Sequence, residues 1–135
     1  MAEFIFKDIV ARNGREKDFF VSSHATSYEE EGNPVYPPAR RVLAAHGVPC
    51  SGKFAQRLEK SDYEEFDLFV CMEERNAQNA LRIFGADPDK KLCKLLDFTD
   101  QKGNIADPYY TGDFELTYRQ IYAGCQALFS CLVKK

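Results

Sequence analysis

The chain is 135 residues long, the usual size of one domain, and its 44% hydrophobic and 29% charged residues are typical of globular proteins rather than disordered ones. It has 18 Lys and Arg against 21 Asp and Glu, a formal net charge of −3 without a long basic run, so we expect no nucleic-acid partner. No apolar run approaches the roughly 20 residues that span a bilayer, so we expect no membrane association.

The first half of the chain predicts a helix, a strand, a long loop and two short helices. Apolar residues recur at helical spacing over 2–12, and Asn13-Gly14 then supplies a left-handed stop. Residues 19–21 are predicted to form a strand, and the polar, proline-rich stretch 22–38 a loop whose length favours a functional role. A short helix is predicted over 39–46, ended by Gly47, and a capping box of Ser61 and Glu64 opens another.

The second half alternates strands and helices. The continuous apolar run at 68–72 predicts a strand buried on both faces of a parallel sheet. A helix is predicted over 73–84, a third strand over 92–96, and a long polar loop over 97–112. Asp113 caps the last helix, whose predicted apolar face consists of Phe114, Tyr118, Ile121, Tyr122, Cys125, Leu128, Phe129 and Leu132. This alternation predicts an α/β fold with a thin parallel sheet in one domain, residues 1–135.

The cysteines and the first residues indicate the compartment. Five cysteines without a C-x-x-C motif are typical of reduced thiols, most of them small core residues. Charges at Glu3, Lys7 and Asp8 interrupt the apolar stretch that a signal peptide requires. We therefore predict a cytoplasmic protein. No cluster of His, Cys or carboxylates has ligand spacing, so we predict no metal site and no cofactor.

Asp107-Pro108-Tyr109-Tyr110 is the segment with the strongest chemical character. A carboxylate before a rigid proline and two aromatic side chains together fit one wall of a pocket. The same residues also fit a turn followed by half-buried packing, so this motif by itself decides nothing. The surrounding sequence must discriminate between the two interpretations.

Six segments in a fixed order supply that context. They are Met1-Ala2-Glu3-Phe4, Ser23-His24-Ala25-Thr26-Ser27, Gly32-Asn33-Pro34 with Pro38-Ala39-Arg40, Asp67-Leu68-Phe69-Val70-Cys71-Met72-Glu73-Glu74, Leu95-Leu96-Asp97-Phe98 and Ile105-Ala106-Asp107-Pro108-Tyr109-Tyr110-Thr111-Gly112-Asp113-Phe114-Glu115. Together they resemble the low-molecular-weight protein tyrosine phosphatases over essentially the whole chain. The resemblance implies a three-layer α/β fold around a small parallel sheet.

The resemblance also implies a mechanism. Enzymes of this family use a nucleophilic cysteine in a C-x5-R-S phosphate loop, where a helix N-terminus and backbone N–H groups hold the phosphate and lower the thiol pKa. The matching residue for the general acid is Asp107, which protonates the departing phenolate and then activates water. Tyr109 and Tyr110 match the walls around the phenyl ring. The implied substrate is a phosphotyrosine protein or a small aryl phosphate.

The phosphate loop has no counterpart in the 135 residues. By resemblance it is expected immediately before Met1, so the chain is expected to be N-terminally truncated relative to the family. No cysteine is followed six residues later by arginine, and the nearest approach, Cys50 with Arg57, has a spacing of seven. We interpret Cys50 as an ordinary thiol and expect the chain as written to be inactive.

The same comparison predicts that the first, central strand of the sheet is missing. Neighbouring strands then have unpaired backbone groups, which direct pairing of these two strands, strand exchange with another chain or dimerisation through the exposed region would satisfy. Of these we favour an oligomer, such as a homo-oligomer formed by strand exchange. Three alternatives stay open: Met1 is an internal methionine of a longer, ordinary phosphatase, the chain is a non-catalytic binding module derived from that family, or it is related to arsenate reductases. The Asp107-Pro108-Tyr109-Tyr110 motif favours the phosphatase branch over the reductases.

Overall fold

The computed structural model describes residues 1–25, 37–48, 50, 56–100, 103–105 and 111–133. Helix α1 spans Ala2–Arg12 and buries one face, where Ile5 and Ile9 are 1% and 2% exposed. The helix ends at Asn13, and Gly14 follows with a φ of 67°, a conformation that glycine adopts without steric cost. The sequence prediction for this helix and its stop is confirmed.

The prediction of a strand at residues 19–21 is wrong. A short 3-10 helix spans Glu16–Asp18, and the chain then runs to residue 25 without joining a described strand. Ala25 alone forms a parallel bridge, opposite Arg57, with its N–H bonded to the carbonyl oxygen of Gln56 at 2.6 Å. A strand requires a neighbour for its backbone groups. No described strand lies beside residues 19–21, and Phe20 is 82% exposed.

Two short helices follow in the described part of the chain. Helix α2 spans Pro37–Ala45 and buries Leu43 completely, and Gly47 beyond it has a φ of 72°. Helix α3 spans Asp62–Glu65, but the predicted capping box is wrong because Ser61 makes no side-chain cap bond. Ser61 has helical φ and ψ angles of −64° and −22°, whereas a capping serine has extended backbone, and the Asp62 carboxylate accepts the backbone N–H of Glu59 at 2.8 Å.

A strand–helix–strand unit forms the sheet of the described residues. Strand β1 spans Phe69–Cys71, helix α4 spans Glu74–Phe84 and strand β2 spans Leu92–Lys94. The strands are parallel, with Val70 opposite Cys93. The prediction of parallel strands around a helix is confirmed, although β2 is shorter than predicted because the chain turns into a 3-10 helix at Leu95–Phe98.

Helix α5 spans Phe114–Val133 and is capped as predicted, since the Asp113 carboxylate accepts the Leu116 N–H at 2.9 Å. Most of its predicted apolar face is buried, whereas Tyr122 is 40% exposed. The buried members of that face are Tyr118, Ile121, Cys125, Leu128 and Phe129. None of the described helices combines the length and apolarity that a bilayer crossing requires.

Two apolar clusters lie on opposite faces of the sheet. The main core is formed by α1, α2, α5 and the 3-10 helix after β2, and it includes Phe4, Ile5, Phe6, Ile9, Val10, Leu43, Val48, Leu95, Leu96, Ile105, Tyr118, Ile121, Cys125, Leu128 and Phe129. The small core consists of Leu58, Ala80 and Phe84. Val70 packs against the main core and Phe69 against the small core, so the sheet is the middle one of three layers.

Candidate functional site

The predicted acid Asp107 and the predicted pocket walls Tyr109 and Tyr110 all lie outside the described residues, in the segment 106–110. The structure describes the residues on both sides of this segment. Ile105 precedes it and Thr111 follows it, and both belong to well-defined local arrangements. These flanking residues therefore locate the two ends of the segment.

Ile105 fixes the first end of the segment at the sheet. Its side chain is 1% exposed, and its N–H donates to the carbonyl oxygen of Met72 at 2.9 Å. Met72 follows the last residue of β1, so the chain reaches residue 106 from the carboxyl end of a parallel strand. That end of the strands is where open α/β sheets bind their ligands.

Asn104 adds a second anchor at the same edge. Its side-chain Oδ1 accepts the backbone N–H of Glu74 at 2.9 Å and the Lys94 ammonium at 3.3 Å. The first bond satisfies one of the N–H groups that the first turn of α4 leaves without an intrahelical partner. Asn104 therefore links the segment to α4 and, through Lys94, to the end of β2.

The second end of the segment is fixed at the start of α5. The Thr111 hydroxyl accepts the Asp113 N–H at 3.2 Å, and the Asp113 carboxylate accepts the Leu116 N–H at 2.9 Å. Gly112 between them has a φ of 77°, which favours glycine. The residues on both sides of segment 106–110 are thus hydrogen-bonded, Ile105 to the end of β1 and Thr111 to the cap residue of α5.

A buried carboxylate in the first turn of α1 was not among the predicted site residues. Glu3 is 7% exposed, and its carboxylate accepts the Ser23 hydroxyl at 2.7 Å and the Lys7 ammonium at 2.6 Å. A negative charge is favourable at a helix N-terminus. These bonds connect α1 to the chain before residue 25. In the sequence, the only feature that could have indicated this buried residue is a single charge beside the apolar face of the helix.

The thiols of three cysteines are unsuited to act as nucleophiles. Burial raises the pKa of the Cys71 thiol to about 11, and burial raises the pKa values of Cys93 and Cys125 to about 12. Reactive cysteines instead require a lowered pKa. Cys50 packs against the main core, which supports its interpretation as an ordinary thiol, and Cys131 is exposed.

Neither histidine lies in a catalytic arrangement with described residues. The His46 ring stacks on Tyr118 at a centroid distance of 3.8 Å, and its Nε2 lies 2.8 Å from a Glu115 carboxylate oxygen. His24 contacts the edge of Phe66. Within the described ranges, no group of three or more His, Cys, Asp or Glu side chains is arranged to hold a metal ion.

Comparisons with known proteins place these features in a family context. Residues 1–135 match the family described as low molecular weight phosphotyrosine protein phosphatase. The chain is 28% identical to the low molecular weight protein-tyrosine-phosphatase YfkJ of Bacillus subtilis over 137 residues, covering all of this chain and 88% of YfkJ. It is 31% identical to PtpA of Staphylococcus saprophyticus over 138 residues, covering 99% of this chain and 85% of PtpA.

Solved structures show the same architecture. The crystal structure of YfkJ from Bacillus subtilis superposes with a TM-score of 0.94 at 28% identity, covering 98% of this chain and 85% of the YfkJ chain. A low molecular weight protein tyrosine phosphatase from Streptococcus pyogenes superposes with a TM-score of 0.86 at 30% identity, covering 97% of this chain and 82% of the other.

Proposed function

Because the chain belongs to the low molecular weight phosphotyrosine protein phosphatase family, we propose that it serves the hydrolysis of phosphotyrosine, with Asp107 as the general acid. The observation that carries this proposal is the bond from the Ile105 N–H to the Met72 carbonyl oxygen. Asp107 follows Ile105 by two residues, and this bond holds Ile105 at the carboxyl end of a parallel strand. Ligands of α/β sheets bind at that end.

The proposed reaction has two steps. In the first, a cysteine thiolate attacks phosphorus, the bond from phosphorus to the tyrosine oxygen breaks, and Asp107 gives its proton to the departing phenolate. In the second, the Asp107 carboxylate takes a proton from water, the water oxygen attacks phosphorus, and the sulfur–phosphorus bond breaks. Tyr109 and Tyr110 flank the phenyl ring of a phosphotyrosine protein or small aryl phosphate.

The 135-residue chain contains no Cys-x5-Arg sequence to supply that thiolate and the phosphate-binding arginine. The raised pKa values of Cys71, Cys93 and Cys125 provide no substitute. The finer part of the proposal is therefore that this polypeptide alone is inactive. It requires a strand and a Cys-x5-Arg-Ser-Pro loop that join α1 directly ahead of Met1.

A fusion protein tests both parts. We expect the 135-residue chain to hydrolyse an aryl phosphate at the background rate, and a fusion carrying a strand and Cys-x5-Arg-Ser-Pro ahead of Met1 to turn it over. In the fusion, Asp107→Asn should lower kcat by about 10²- to 10⁴-fold, the usual contribution of a positioned general acid. Changing the fused cysteine to serine is the matched control and should abolish turnover.

Two results would contradict the proposal. High turnover by the unfused chain would overturn its inactivity. An active fusion in which Asp107→Asn has the same kcat as the parent would overturn the assignment of the general acid. Circular dichroism of each variant confirms that the fold is retained.

A second candidate function, a non-catalytic oligomeric module, is favoured by the open edge of β1. The Phe69 N–H donates to the Lys91 carbonyl oxygen at 2.9 Å. In a parallel pair only alternate residues of a strand bond to the neighbouring strand, so the N–H and C=O of Val70 point away from β2. None of the described backbone groups pairs with them. We propose that a second copy of the chain covers this edge by strand exchange. Sedimentation velocity tests this proposal, because a stable dimer would support it and a folded monomer would contradict it.

For location we propose the cytoplasm. All five cysteines are free, as expected for a protein kept in a reducing compartment. Subcellular fractionation of the native protein tests this, and recovery from an oxidising compartment would contradict it.

A further inference from the structure

Asn104 lies two residues before the segment 106–110, and its side chain makes contacts to which the proposed reaction gives no role. Its Oδ1 accepts the backbone N–H of Glu74 at 2.9 Å and the Lys94 ammonium at 3.3 Å. Glu74 is the first residue of α4, and Lys94 is the last residue of β2. One amide oxygen therefore joins residue 104 to two regular elements at the carboxyl end of the sheet.

The two donors are themselves fixed by their own contacts. The Lys94 backbone N–H donates to the Asp97 carboxylate at 3.1 Å, and the Lys94 ammonium lies 3.5 Å from a Glu74 carboxylate oxygen. The Glu74 N–H belongs to the first turn of α4, where backbone donors have no intrahelical partner. Because helices and strands place a group more precisely than loops do, these donors define one position for the Asn104 side chain.

The contact of the next residue is of a different kind. The Ile105 N–H donates to the Met72 carbonyl oxygen at 2.9 Å, and the Ile105 side chain is 1% exposed. This hydrogen bond joins two backbone groups, so a change of side chain at residue 104 does not remove it. The contacts of Asn104 depend on its side chain. A substitution at residue 104 therefore removes one anchor and leaves the other in place.

The covalent connection from Asn104 to the predicted general acid is short. Asp107 follows Asn104 by three residues, a stretch of chain that spans at most about 11 Å. A general acid must lie within hydrogen-bond reach of the oxygen that it protonates. Since a misplacement of about 1 Å can lower a rate by about 10²-fold, the position of residue 104 matters for proton transfer.

We propose that Asn104 is a positioning residue for Asp107, because its side chain fixes the chain to α4 and β2 three residues before the general acid. The inference rests on the proposed function, in which Asp107 protonates the departing phenolate. Asn104 touches neither the substrate nor the reacting atoms in this role. It acts through the placement of Asp107, so its loss affects the reaction most where the leaving group needs a proton.

Two substrates that differ in this need test the role in the fusion protein that carries a strand and a Cys-x5-Arg-Ser-Pro loop ahead of Met1. Phenyl phosphate releases a strongly basic phenolate, which needs the proton of Asp107. 2,4-Dinitrophenyl phosphate releases a weakly basic phenolate, which leaves without a proton. The measured quantity is kcat/KM, because it covers the steps up to the departure of the phenol and excludes the later hydrolysis of the phosphocysteine.

The variants should differ in how strongly they discriminate between the substrates. Asn104→Ala should lower kcat/KM for phenyl phosphate by about three- to thirtyfold, and for the dinitrophenyl ester by less than about twofold. Asn104→Asp keeps an acceptor oxygen and should stay within about twofold of the parent for both substrates. Lys94→Met removes one of the two donors and should show the preference of Asn104→Ala with a smaller loss. Asp107→Asn sets the upper limit, a loss of about 10²- to 10⁴-fold for phenyl phosphate.

The matched control is Asn76→Ala at the same end of α4. The Asn76 Oδ1 accepts the Glu73 backbone N–H at 3.0 Å, so this variant also loses a bond between an asparagine side chain and the backbone. Asn76 lies within α4 rather than on the chain that leads to Asp107. Any loss of kcat/KM in Asn76→Ala should therefore be the same for the two substrates. Asn104 is exposed, so we expect its variants to fold, and thermal melting verifies this.

Three results would overturn the inference. They are an unchanged kcat/KM for phenyl phosphate in Asn104→Ala, an equal loss for both substrates in that variant, and equal losses in Asn104→Asp and Asn104→Ala. If Asn104→Ala fails to fold, Lys94→Met decides, and a loss that is equal for both substrates contradicts the inference. Failure of the proposed function is recognised separately. An inactive fusion, or an Asp107→Asn variant with equal losses for both substrates, overturns that function and with it the inference.

Discussion

The face of the sheet covered by α1 and α5 is closely packed, whereas the face covered by α4 holds only a small cluster among the described residues. On the first face Ile5, Ile9 and Leu95 are at most 2% exposed. On the second, the small core is limited to Leu58, Ala80 and Phe84. The difference shows that, among the described residues, α1 and α5 bury more apolar surface than α4, and that the short strands contribute less than a parallel sheet usually does.

Strand β1 illustrates how little of the burial the strands contribute. Its sequence is continuously apolar, yet only Cys71 is buried, and Phe69 and Val70 are half-buried. A strand that is fully buried needs neighbours on both edges as well as layers on both faces. β2 covers one edge, whereas Val70 directs its backbone groups toward the other. Because the main core is closely packed and the small core is limited, we expect most of the stability to come from the main core.

The largest expected effect comes from two matched leucine substitutions, which test whether most of the stability comes from the main core. Leu43→Ala removes a completely buried side chain from the main core and should lower the free energy of unfolding by about 2–5 kcal/mol. Leu81→Ala makes the same change in α4, where Leu81 is 44% exposed, and should cost less than about 0.5 kcal/mol. Urea unfolding of both variants measures the difference, and equal costs would contradict the comparison.

A smaller effect is expected where α5 meets the 3-10 helix after β2. A Cβ atom at Gly124 would lie 2.5 Å from Cγ of Leu95, which is 1% exposed. Gly124→Ala should therefore cost about 1–2 kcal/mol, since overpacking outweighs the gain in helix propensity. Combining it with Leu95→Ala should cost less than the two changes added, because alanine at 95 makes room. Stabilisation by Gly124→Ala would show that this side of the molecule is loosely packed.

Helix α1 was predictable because it has both a periodic pattern and a local stop signal. The sequence predicts α1 over its whole length, and Gly14 follows its end as expected. The strand at 19–21 was wrong because a short apolar run contains no information about its neighbours. The cap at Ser61 was wrong because Ser61 itself has helical backbone angles, which the residue pattern does not reveal.

The candidate site was predictable only in part. The motif at Asp107 identified the segment, and its roles stay a prediction because residues 106–110 lie outside the described residues. The anchors at Asn104 and Ile105 were not predictable, because they join residues about thirty positions apart in the chain. Glu3 was missed because one charge near an apolar helix face does not by itself indicate burial.

The smallest expected effect concerns a buried and an exposed thiol, and it tests how closely the face covered by α1 and α5 is packed. Burial raises the pKa of Cys125, in the main core, from 9.0 to about 12. The unfolded chain therefore loses this proton first, so the stability from the neutral thiol is complete below about pH 9 and falls as the pH rises toward 12. Between pH 8 and 9.5 the Cys125 thiol should contribute less than about 1 kcal/mol to the loss, and Cys125→Ala should reduce the pH dependence by this amount, while Cys71 and Cys93 keep their own contributions. Cys131→Ala, at an exposed thiol, is the matched control for urea unfolding in reducing buffer and should keep the pH dependence of the unaltered chain. If Cys125→Ala also keeps it, the thiol is accessible to water in the folded chain, and the closely packed face is looser than its burial indicates.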